Sequence, residues 1–69
     1  MVKVIHKKGK KYLNIDGIEY GPYSLYFHIQ RSIATLEYFT ENGDWDEKRQ
    51  MEVKSYIEKC LKAYTENYE

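Results

Sequence analysis

One cysteine, one proline, two phenylalanines and one tryptophan are all that this 69-residue chain holds of those types, and its formal net charge is zero. The lone Cys60 excludes an internal disulfide. It falls on the apolar arc of an expected helix, where a thiol acts as a small hydrophobe. No apolar run approaches the roughly 20 residues of a membrane span. The opening Met1-Val2-Lys3-Val4-Ile5-His6 puts a lysine and a histidine where a signal peptide needs apolar residues. A cytoplasmic protein with no membrane partner is therefore expected. Neutrality argues against broad adhesion to nucleic acid. The charge is nevertheless uneven: residues 1–31 carry six Lys/Arg against two Asp/Glu, and residues 32–69 carry five against nine.

Chemistry is also scarce. His6, His28 and Cys60 have no further histidine or cysteine spaced to complete a metal site, so neither metal nor cofactor is expected. Asp44, Asp46 and Glu47 cluster where a helix start favours acidic side chains. No Ser/His/Asp or Cys/His arrangement follows from the spacing, and the chain reads as a non-enzyme.

What the chain does have is turn chemistry and periodicity. Asp16-Gly17 suits a two-residue type I′ turn, whose central residues need positive φ. Closing the chain there sets Ile15 opposite Ile18 and Leu13 opposite Tyr20. A second tight turn at Lys8-Gly9 pairs His6 with Lys11, Val4 with Leu13 and Val2 with Ile15. The two turns agree on one apolar face of Val2, Val4, Leu13, Ile15, Ile18 and Tyr20, and such agreement between levels marks a foldable sequence. The strands are expected at about Val2–Lys7, Lys10–Ile15 and Ile18–Gly21.

Gly21-Pro22 ends the meander, because proline cannot donate to a sheet ladder. A first helix, starting at Pro22 or capped by Ser24, should run to about Glu41 with Leu25, Ile29, Ile33, Leu36 and Phe39 as its apolar stripe. Asn42-Gly43 stops it. Asp44 with Glu47 matches a capping box for a second helix over about Trp45–Tyr64, and a short C-terminal tail should follow. Its apolar arc holds Trp45, Val53, Tyr56, Ile57, Cys60, Leu61 and Tyr64. The expected fold is a single α+β domain over residues 1–69. A three-stranded antiparallel meander (2–21) comes first, followed by an α-helical hairpin (22–69) packed on one sheet face (β-β-β-α-α).

Two sets of residues are left over. The first helix carries a second stripe, Phe27, Arg31, Ala34 and Tyr38, opposite the first. Either the second helix packs there as a third layer, or the stripe is exposed and binds a partner, since aromatic–arginine rows have the composition of hot spots. Met51 and neighbouring tyrosines, Tyr23 among them, are candidates for the same surface. Eight tyrosines exceed what so small a core needs, and tyrosine suits interfaces. The outer sheet face offers Lys3, Lys7, Lys10, Tyr12 and Asn14 as an alternative nucleic-acid surface, with lysines on phosphates and Asn14 or Tyr12 on bases. Ile5 and Glu19 share that face. The leading expectation is a protein-binding module, in size and style like the small inhibitors that phages direct at host defence proteins. The alternatives are a β-sheet DNA-binding protein and a structural homo-oligomer, a homodimer using the helical stripe.

Overall fold

The computed structural model describes residues 1–69 as five elements in the expected order. These are β1 (Val2–Lys7), β2 (Lys10–Ile15), β3 (Ile18–Tyr20), α1 (Pro22–Glu41) and α2 (Glu47–Tyr68). The sheet is antiparallel with order β1-β2-β3. Its register follows from the turns: Lys7 opposes Lys10, Val4 opposes Leu13 and Ile15 opposes Ile18. Both turns use positive φ at both central positions, with Lys8 at 50°, Gly9 at 76°, Asp16 at 52° and Gly17 at 94°. The Asn14 carboxamide oxygen accepts the Gly17 N–H at 3.0 Å and steadies the second turn.

Gly21 precedes Pro22 at the first position of α1, and the Gly21 N–H donates to Ser24 Oγ at 2.8 Å. Ser24 thus supports the helix start from its first turn, and does not open it. The second helix departs further from expectation. Asp46, not Asp44, is its cap, accepting the Arg49 N–H at 2.8 Å. Trp45 therefore stays outside the helix and stacks on Phe39, ring centroids 4.8 Å apart. The expected C-terminal tail is instead about one further helical turn, which carries α2 to Tyr68. Tyr68 holds it to the sheet by donating its hydroxyl to the Lys11 carbonyl at 2.8 Å.

Both helices meet the sheet on one face. Leu13, Ile15, Tyr20, Leu25, Ile29, Cys60 and Ala63 form one buried cluster. Within the expected apolar face, Val4 and Ile18 are corrections: they are 47% and 57% exposed. Val4 lies on the edge strand β1 and Ile18 at the turn, beyond the cover of the helices. Leu61 is likewise exposed despite its place on the arc of α2.

Lengths explain the shape. Helices of 20 and 22 residues span about 30 Å and 33 Å, against about 20 Å for a six-residue strand. The molecule accordingly measures 44 × 19 × 18 Å. The sheet covers only the end where α1 begins and α2 finishes. Between Ile29 and Ile57 no residue is buried. Ile33, Leu36, Phe39, Trp45 and Val53 are each half-buried in that stretch. The rest of the hairpin is a two-helix arm without a third layer.

Candidate binding surface

The three-layer alternative for the second stripe of α1 does not occur. α2 lies beside α1 and shares its core-facing side, which leaves the opposite side to solvent. Phe27 is 67% exposed, Tyr38 61% and Tyr23 83%, and Arg31 and Ala34 are exposed with them. Tyr23, Phe27 and Arg31 are spaced four apart and occupy successive turns of one helix face. Ala34 and Tyr38 continue the row, so the stripe extends about 22 Å along the axis. Phe27 and Arg31 also line a shallow groove with Ser32, Thr35 and Val53.

At the far end the stripe meets an aromatic knob. Tyr38 sets its ring edge-on to Phe39, with centroids 5.2 Å apart, and Phe39 stacks on Trp45. The Arg49 guanidinium lies 5.3 Å from the Trp45 ring centroid, a cation–π distance. At the near end Tyr23 borders a cleft with Lys10, Tyr12, Pro22 and Tyr68. Met51 is exposed on α2, where it borders a second shallow groove with Lys48, Ser55, Tyr56 and Lys59.

The outer sheet face gathers Lys3, Lys7, Lys10, Tyr12 and Asn14 as the register requires. Several of these side chains are engaged within the chain. Lys7 Nζ pairs with Glu19 at 3.0 Å, and Asn14 is committed to Gly17. The Tyr12 ring packs against Gly21, where an added Cβ would lie 3.5 Å from Tyr12 Cε1. The two remaining lysines, Lys3 and Lys10, have no hydrogen-bond or ion-pair partner within the chain, and Lys10 borders the tyrosine-lined cleft.

Two clusters escaped the sequence reading. His28 stacks on Tyr20 at 4.9 Å between centroids, and its Nε2 lies 2.8 Å from the Tyr56 hydroxyl. Burial, and after it the Tyr20 hydroxyl, holds Tyr56 far above the ordinary tyrosine range, so the phenol stays neutral. This group ties β3, α1 and α2 together. Asp16 forms the other cluster, accepting from Lys59 Nζ at 2.6 Å and from the Met1 ammonium. The Lys59 bond, then the amine, lowers its pKa to about 2. Burial pushes the Cys60 thiol up, so it stays protonated at neutral pH. No three His, Cys, Asp or Glu side chains converge on a metal-sized site, and no helix is long and apolar enough to cross a membrane.

The chain matches no family model, no curated protein and no solved structure. The reading of its function therefore rests on its surfaces.

Proposed function

We propose that this chain is a non-enzymatic protein-binding module whose contact surface is the outer stripe of α1: Tyr23, Phe27, Arg31 and Tyr38. One observation carries this reading. An aromatic–arginine–aromatic row stands exposed along a helix of a very small domain. Arginine and tyrosine dominate binding hot spots. A contiguous apolar patch on a small monomer is otherwise an aggregation liability. The bare arm adds support, because half-buried Leu36, Phe39 and Trp45 gain further burial only from another chain. The module acts by occupying a partner's surface, as an inhibitor or adaptor does.

The test is affinity capture from the producing cell with the intact chain, Tyr38→Ala and Arg31→Glu. One stoichiometric protein should be recovered by the parent and lost by both variants, whose helical circular dichroism and melting stay unchanged. Each truncation should cost about 2 kcal/mol or more of binding. Equal recovery by the variants would contradict the stripe, and nuclease-sensitive recovery would favour the outer sheet face.

A further inference from the structure

The edge of β1 is the one long run of unpaired backbone in the molecule. Lys7 and Lys10 close a two-residue hairpin, and such a closing pair exchanges both of its hydrogen bonds. Alternation then turns Lys7, Ile5 and Lys3 toward β2, and the Asp16 N–H continues the same ladder onto the Met1 carbonyl. The N–H and C=O groups of Val2, Val4 and His6 therefore point outward. No side chain of the protein bonds to them. β1 has six residues without proline, whereas β3, the other edge, has only three and passes directly into α1. Unpaired edges of this kind are templates for strand addition.

We infer that β1 pairs antiparallel with β1 of a second copy of this chain, about a two-fold axis through Val4, making one six-stranded sheet. Charge selects the occupant's register. Three symmetric alignments pair more than one of the outward residues Val2, Val4 and His6, and they are centred on Lys3, Val4 or Ile5. Centring on Lys3 sets Lys3 against its own copy, and centring on Ile5 sets Lys3 against Lys7. Like charges directly opposite one another destabilise a sheet. Centring on Val4 alone avoids both clashes and also gives the longest overlap. It places Val2 opposite His6, Val4 opposite Val4 and Lys3 opposite Ile5, and all three outward residues on each chain find partners. It also covers Val4, which is 47% exposed in the single chain. Lysine is a common guard on edge strands, but here Lys7 is already neutralised by Glu19.

The symmetry closes at two copies, because each chain offers β1 once. Both helical hairpins then lie on the same face of the sheet, with their arms pointing in opposite directions. The assembly presents the α1 stripe twice. The pairing itself does not depend on what that stripe binds.

Sedimentation equilibrium of the intact chain between about 10 μM and 1 mM should show a reversible dimer. Val4→Pro removes a donor that the internal ladder does not use, as proline on an edge strand can. It should weaken association at least about tenfold while keeping the helical signal. The register has its own readout, insensitive to any effect of proline on folding. Val4→Cys should oxidise to a disulfide-linked dimer, since directly opposed residues sit about 5.5 Å apart between Cα atoms. His6→Cys should not, because its copy lies about 13 Å away along the strands. A monomer throughout the concentration range, or equal cross-linking by the two cysteine variants, would overturn the inference.

Discussion

Truncating two leucines of the same helix should have very different consequences. Leu25 is fully buried beneath the sheet, whereas Leu36, three turns along α1, is half-buried between two helices. Leu25→Ala empties a closed site and should cost about 2–5 kcal/mol from lost transfer energy plus the cavity left behind. A domain of this size holds only about 3–10 kcal/mol in total, so this variant sits at or below its threshold for folding. Leu36→Ala removes a side chain that water already reaches, and about 1 kcal/mol is expected. Urea titration followed by far-ultraviolet circular dichroism gives both values. Trp45, the sole tryptophan, stands at the arm tip and reports that end separately by fluorescence. Native-state hydrogen exchange should show the arm amides around Ile33–Lys54 opening at lower free energy than those of Leu25, Ile29 and Cys60. Equal costs for the two leucines, or uniform protection along both helices, would refute the description of the arm as lacking a core of its own.

Gly17→Val should cost about 1–2 kcal/mol, read as a lower urea midpoint; φ is +94° there and an added Cβ meets nothing within 4 Å, so the penalty is purely backbone. The Asp16 clamp should be pH-dependent in a set direction. Its folded pKa lies below its ordinary value of 3.8, so its contribution is complete above that value and disappears as pH falls through about 2. Melting curves of the parent and Asp16→Asn should accordingly differ at neutral pH and converge near pH 2. Tyr56 predicts the alkaline limit: its folded pKa is raised, so the unfolded chain releases the proton first and stability falls as pH climbs past the ordinary 10.0. Tyr56→Phe should flatten that decline, measured by melting temperature between neutral and strongly alkaline pH.

The local chemistry of the chain was legible because it is short-range. Asp16-Gly17 and Lys8-Gly9 set both turns, and through them every strand pair. Pro22 and the 3.6-residue rhythm from Leu25 to Phe39 set α1. What was not legible depends on contacts distant in sequence. Asp44 and Asp46 are both competent caps, and the stacking of Trp45 on Phe39 accompanies the choice of Asp46. The extension of α2 to Tyr68 accompanies a bond to Lys11, a contact that periodicity cannot anticipate. Val4 and Ile18 obey the alternation but lie outside the footprint of the helices, since period two states a face and not its cover. The stripe of Phe27, Arg31 and Tyr38 was visible as a pattern, yet only the placement of α2 decided that it is bare. Met51 is exposed too, and it borders a groove on α2 with Lys48 and Lys59 that composition alone does not reveal.

The claim that the outer face of α1 is the contact surface is tested most directly by photo-cross-linking in the producing cell. A benzophenone side chain replaces Phe27 or Tyr38 in turn, with Tyr12 on the outer sheet face as the reference position. The account predicts one discrete protein adduct, the same from positions 27 and 38 and absent from position 12. Adducts formed from position 12 alone, or none from either helix position, would contradict it.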